Sequence, residues 1–285
     1  MTIAFDKDEE FFLFDNQIKE IPTQRKYDIP NDSPIFYEVI RVINSTPLFV
    51  DEHIERLKKS TLLSGIEALE TNELTKAITE FTKHRQIHEK NLKISLYTDK
   101  QNIKDYHVLA YFVSSSYPQP EAYLNGVKVE LIPLKRENPN VKLENPILRS
   151  SAEKVICLSQ TYEALLVNNE GYITEGSRSN FFAIINNTII TPPSKDVLEG
   201  ITRKMVFALA TQNGVPLLER CIHKSEIDSF EGAFLTGTST KVLPINLIGD
   251  KTLPGHNLIQ KIILLYNKLV EKNLVKTSNK YNNTH

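Results

Sequence analysis

At 285 residues the chain exceeds the roughly 100–200 residues of one average domain, so two domains of similar size are expected. Lys and Arg number 34 against 35 Asp and Glu, a balance that offers no basic field for nucleic acid or for an anionic membrane surface. Hydrophobic residues make up 40% and charged residues 24%, no apolar run approaches the roughly 20 residues of a spanning helix, and Cys157 and Cys221 lack metal-ligand or disulfide spacing, so a soluble, cytoplasmic protein is expected.

In chain order, FFLFDNQIKEI reads as a hairpin, IFYEVIRVI as a strand, and DEHIERLKKSTLL and TNELTKAITEFTKHR as helices. Two strand patterns, LKISLYTD and YHVLAYFV, precede the polar, proline-bearing SSSYPQP, where the pattern breaks. Residues 1–116 are therefore expected to form one α/β domain, 117–120 a linker, and 121–285 a second α/β domain. The second half opens with the strand GVKVELIPL. A helix then starts at Asn145 and Pro146, types suited to N-cap and N1, and carries the stripe Leu148, Ala152, Val155, Ile156.

Next, ALLVNNEGYITE and FFAIINNTIITPP read as two hairpins, since Asn-rich pairs tolerate the positive φ of tight turns. A helix is expected over 201–213, stopped by Gly214. GAFLTGTSTKVLPI and the helix HNLIQKIILLYNKLV follow, and the polar tail KTSNKYNNTH is expected to fray. The expected class is α+β (mixed α/β) in two domains.

The segment Tyr162 to Phe182, YEALLVNNEGYITEGSRSNFF, holds a polar loop from Glu175 to Asn180 between two strands. A plain turn would account for it, although loops on rigid scaffolds also carry function. The run closely resembles the signature of the class IV aminotransferases, the fold-type IV pyridoxal-phosphate enzymes. These include branched-chain and D-amino-acid aminotransferases and aminodeoxychorismate lyase. FYEVIRV, DEHIERL, TPP at 191–193, VLEGITR at 197–203 and FLTGTSTKVLPI at 234–245 extend the resemblance in family order.

The resemblance implies a D-amino-acid-aminotransferase-like fold, pyridoxal 5′-phosphate as cofactor, and a homodimer acting on an amino acid and a 2-oxo acid. Glu175 is implied to face the pyridine nitrogen and keep it protonated, so that the ring can act as an electron sink. Lys142, opening a K-x-x-N motif, is the implied Schiff-base lysine and proton-moving base, in preference to Lys154 inside the helix. Arg56 is the implied phosphate ligand, the plain alternative being an i,i+4 pair with Glu52 on a wet helix face. Gly200, Ile201 and Thr202, at a helix N-terminus, and Gly237 and Thr238 complete the implied phosphate cradle, with Leu198 beneath the ring. Tyr37 and Ser239 are implied to line the substrate site. For Tyr37 a core aromatic is an equal alternative.

Two departures bear on substrate. Where many relatives carry FGDG, this chain has DSPIFY at 32–37, and LYTDKQNIKDYH lacks the arginine-bearing TRG segment. A substrate α-carboxylate needs a cationic or multi-donor partner, for which Arg178, Lys104, His107 and the N–H groups of TGTST are candidates. Transamination is the leading expectation, lyase chemistry the rival, and a non-catalytic relative the alternative from another class.

Overall fold

A computed structural model of the protein describes residues 1–30, 33–66, 69–98 and 105–282. Two compact units are present: Met1–Ser116 with Val141–Glu144 and Val270–His285, and Tyr117–Asn140 with Asn145–Leu269. The chain is thus not divided by one cut at 117–120. The segment Val141–Glu144 groups with the first unit because the Glu144 N–H donates to the Ile35 carbonyl and the Tyr37 N–H to the Lys142 carbonyl.

The first unit holds strands β1 (Thr2–Ala4), β2 (Phe11–Phe14), β3 (Gln17–Glu20), β4 (Lys26–Asp28), β5 (Ile35–Ile43) and β6 (Thr46–Pro47). Helices α1 (Val50–Leu62) and α2 (Thr71–His84) and strands β7 (Glu89–Thr98) and β8 (Tyr106–Val113) follow. Among the described residues the main sheet runs β3-β2-β8-β7-β5-β6, and β1 pairs with β4. Strand alternation sends Phe36, Ile40 and Val42 of β5 and Leu92, Ile94 and Leu96 of β7 to one face. There they meet Val50, Ile54 and Leu57 of α1 and Leu74, Ile78 and Phe81 of α2. Each such side chain contributes roughly 1.5–3 kcal/mol on full burial, so this apolar layer fixes which face of β5 meets the helices.

The second unit contains α3 (Pro120–Asn125), β9 (Val127–Ile132), α4 (Pro146–Ser159), β10 (Glu163–Val167), β11 (Tyr172–Gly176), β12 (Asn180–Ile185), β13 (Thr188–Thr191) and α5 (Ile201–Gln212). It continues with β14 (Leu217–Glu219), β15 (Ile222–His223), β16 (Gly232–Gly237), β17 (Lys241–Ile248) and β18 (Lys251–Thr252). Both expected hairpins form, and Asn186 and Asn187 adopt φ of 50° and 55° in the turn between β12 and β13. The sheet is mixed: β9 runs parallel to β10 and β17, while β12, β16 and β17 are antiparallel. A further pairing of β11 with β12, at Glu175 and Asn180, closes β12-β16-β17-β9-β10-β11 into a barrel. Helix α4 begins as expected, with the Asn145 side chain accepting the Leu148 N–H at 2.9 Å.

The last helix, α6 (Asn257–Asn282), corrects one expectation. Among the described residues the polar tail continues the helix, through Asn282. Its ties are tertiary: the Phe49 N–H donates to Asn273 Oδ1 at 2.9 Å, Lys280 pairs with Asp51, and Thr277 is buried. No helix among the described residues is long and apolar enough to cross a membrane.

Candidate active site

In the first unit, Lys142 sits on the short extended segment that bridges to β5 through Leu143 and Phe36. Its backbone N–H donates to Ser60 Oγ of α1, and its Nζ lies 4.5 Å from the centre of the Tyr37 ring. The structure therefore brings together Lys142 and Tyr37. Tyr37 is half-buried beside an amine rather than enclosed in the apolar core.

Neighbouring Glu38 points to the opposite face of β5, towards α1, and is fully buried. Arg56 grips it at two points, Nε to Oε1 at 2.7 Å and a terminal nitrogen to Oε2 at 2.6 Å. The Arg56 side chain is only 10% exposed, which removes the alternative of a wet pair with Glu52. His53 Nδ1, also buried, lies 2.8 Å from Glu38 Oε2. Burial alone would raise the Glu38 pKa, but the charge and hydrogen bonds of Arg56, with those of His53, bring it down to about 2. Burial also lowers the His53 pKa, against the opposing pull of Glu38, and the positive charges of Arg56 and Lys142 reinforce that lowering. Glu38 and His53 were absent from the sequence-derived set, although both lie within the FYEVIRV and DEHIERL motifs.

The carboxylate partners expected from the sequence differ in their surroundings. His107 bonds Asp15 at 2.7 Å and stacks on Phe14, so its ring is already engaged. Lys104 and Asp32 lie outside the described residues. Arg178 is exposed, with its backbone N–H donating to Glu163. A cation that the sequence did not single out, Lys93 of β7, pairs with Glu144, and its Nζ lies 5.3 Å from the Tyr37 ring centre. Burial works against its charge, but Tyr111, Glu144 and Tyr37 together hold its pKa above the ordinary lysine value.

In the second unit, Glu175 ends β11 at the seam of the barrel, 2% exposed. Its Oε1 meets Arg136 Nε at 2.6 Å, and its Oε2 accepts the Leu198 N–H at 3.2 Å. Arg136 also donates to the Ser177 carbonyl. The loop after Glu175 is built around Glu163, which accepts from Ser177 Oγ at 2.6 Å, Ser179 Oγ at 3.0 Å and the Arg178 N–H. The Asn180 side chain donates to the Leu198 carbonyl at 2.7 Å, and a Cβ on Gly200 would collide with its Oδ1. Asn180 thereby holds Leu198 and packs against Gly200. Asn180 lies within the segment that carries the resemblance, whereas no motif or periodicity singled out Arg136.

Gly200 is the N-cap of α5 and brings no capping side chain, so the N–H groups of its first turn face outward with the positive end of the helix dipole. Ile201 and Thr202 of that turn are buried, with Thr202 Oγ1 3.4 Å from the Tyr266 hydroxyl. Gly237, Thr238 and Ser239 lie at the end of β16 and in the following turn, where the Tyr123 hydroxyl holds the Thr240 carbonyl. Thr236 Oγ1, buried just before this turn, has no hydrogen-bond partner. An ion-paired carboxylate, an uncapped helix start and an orphaned hydroxyl suit a planar, nitrogen-containing phosphate ester such as pyridoxal phosphate.

The fold is that of the fold-type IV enzymes. It matches the branched-chain aminotransferase of Thermoproteus uzoniensis with norvaline at a TM-score of 0.80, 23% identity, and 95% and 97% coverage of the two chains. A putative 4-amino-4-deoxychorismate lyase from Legionella pneumophila matches at a TM-score of 0.77 and 22% identity, covering 85% of this chain and 95% of that one. In sequence, the D-alanine aminotransferase of Bacillus licheniformis is 29% identical over 76% of this chain and 80% of its own length. A probable branched-chain-amino-acid aminotransferase of Aquifex aeolicus is 31% identical over 72% of this chain and 71% of its own length. The family model described as amino-transferase class IV matches residues 35–248. The chain belongs to the class IV aminotransferase family, and its reaction class is amino-group transfer.

Proposed function

We propose that the protein uses pyridoxal 5′-phosphate to move an amino group between an amino acid and a 2-oxo acid. The observation that carries this reading is the buried Glu175 carboxylate, paired with Arg136 and bonded to the Leu198 N–H, with Gly200 and the start of α5 fixed beside it by Asn180. When bound, the cofactor supplies an aldehyde that condenses with amines and a ring that accepts the electron pair of the substrate Cα–H bond.

Glu175 holds the proton on the ring nitrogen. Gly200, Ile201, Thr202, Gly237 and Thr238 receive the phosphate, and Leu198 supports the ring. Arg56, whose guanidinium is oriented by Glu38, is assigned to the phosphate on the resemblance of the DEHIERL motif. Lys142 would hold the cofactor through its amine and would serve as the base that takes the proton from the substrate Cα. Tyr37, Ser239 and Arg178 are each proposed, on the resemblance, to contact substrate. Family membership supports a homodimer. The two cysteines, both free and exposed, fit the reducing cytoplasm.

The test is reconstitution with pyridoxal phosphate, borohydride fixation, and amino transfer from a panel of D- and L-amino acids to 2-oxo acids. Label on Lys142, absent in Lys142→Ala, together with transfer, is expected. Absence of transfer with every donor would sink the proposal, and pyruvate release from aminodeoxychorismate would move it to the lyase reading.

A further inference from the structure

Strand β5 presents Tyr37, Val39 and Arg41 on the face opposite Glu38, and Val39 stands across the ladder from Lys93, which in turn stands across from Tyr111. Lys93 thus projects from the middle of a sheet among phenol rings, with its side chain only 18% exposed. Lysine is seldom held there without a partner for its charge. The arginine on this face, Arg41, is already paired with Glu89 at 2.7 Å.

Three polar groups gather around Tyr37. Lys142 Nζ lies 4.5 Å and Lys93 Nζ 5.3 Å from its ring centre, so the amines are no further apart than those two distances combined. Ser95, directly opposite Tyr37 and two residues along β7 from Lys93, has a buried Oγ with no hydrogen-bond partner. A structural ion pair between Lys93 and Glu144 would require neither the second amine nor the unsatisfied hydroxyl. Glu144, moreover, belongs to the same four-residue segment as Lys142, which couples the counter-ion to the reacting amine.

We propose that Lys93 is the cation that receives a substrate carboxylate, which displaces Glu144 from it, with the Ser95 hydroxyl close by as a further donor. This rests on the proposed function, in which the substrate amine takes the place of Lys142 on the cofactor. An amino acid joined there carries its α-carboxylate one carbon from the amine, and a dicarboxylic one carries a second group further out. Lys93 supplies the charge that the missing arginine segment does not. The exchange is charge-neutral, one carboxylate leaving the ammonium as another arrives.

The experiment uses the holoenzyme and absorbance titration of the bound cofactor with D,L-alanine, D,L-glutamate and isopropylamine, which has no carboxylate. In Lys93→Met the half-saturating concentration of alanine and glutamate is expected to rise about 10- to 100-fold, with isopropylamine unchanged and Lys93→Arg restoring most of the loss. Glu144→Gln is expected to tighten both amino acids. A rise for glutamate alone assigns Lys93 to the distal carboxylate. No change, or an equal change with isopropylamine, overturns the inference. Should Lys93→Met fail to fold, unaltered saturation in Glu144→Gln overturns it instead. A wild-type protein that takes up no cofactor refutes the cofactor reading, and this inference with it, whereas a yellow wild type with an indifferent Lys93→Met refutes only the role of Lys93.

Discussion

Arg56 and Glu38 form a two-point ion pair on the helix-facing side of the sheet, with both side chains out of solvent. Removing one partner of such a pair leaves the other charged and poorly solvated. Glu38→Gln is therefore expected to lower unfolding stability by about 3–5 kcal/mol, measured by denaturant titration. An unchanged midpoint would show that the pair contributes nothing.

The same cluster sets an acid limit. The Glu38 pKa falls from 4.5 to about 2 on folding, so its contribution is present above 4.5 and is lost as pH drops from there towards 2. The His53 pKa also falls on folding, so the unfolded chain binds its proton first, and stability starts to decline once pH passes below the ordinary histidine value of 6.5. Thermal melts should show two successive losses on acidification, and His53→Gln should remove the earlier one.

Arg136 contacts Glu175 in a nearly dry setting, 12% and 3% exposed. A hydrogen bond between charged groups is worth about 1.5–3 kcal/mol, so Arg136→Met is expected to slow amino transfer roughly 10- to 100-fold. Borohydride should still fix the cofactor to Lys142 in this variant. Loss of labelling as well would show that Arg136 acts on binding rather than on the ring.

Gly200 has an ordinary φ of −64°, so its side chain is excluded by space and not by backbone conformation. Gly200→Ala pushes against Asn180 Oδ1 and should cost about 1–3 kcal/mol of overpacking. We expect weaker pyridoxal phosphate uptake with unchanged circular dichroism. Full affinity would place the phosphate elsewhere.

Asn273→Ala deletes the acceptor for the Phe49 N–H, the residue that opens α1 in a left-handed conformation. A loss of about 1–3 kcal/mol, read from thermal unfolding, is expected because that N–H loses its Asn273 acceptor.

Elements whose cause is local could be read from the chain. The stripe on α1, the Asn145–Pro146 helix start and the Asn186–Asn187 turn each follow from residues within a few positions of one another. What escaped depended on distant partners. The tail from Lys276 gives no stripe strong enough to declare a helix, yet the helix is held there by contacts to Asp51 and, one turn earlier, to Phe49. Arg56 was weighed against Glu52, its neighbour along the helix, when the sheet supplied Glu38. Lys93 is one lysine among many in a strand pattern, and only the register with Val39 and Tyr111 reveals its company.

The barrel of the second unit is sealed by a single rung among the described residues, Glu175 opposite Asn180. A cylinder stitched once opens first at its stitch, so amide hydrogens around that rung should exchange ahead of those on β16 and β17. Each such opening would carry the acid at 175 away from the amide of Leu198. A ligand that touches both sides of the rung would act as a rivet, and slower exchange there would register its arrival without any chemistry taking place.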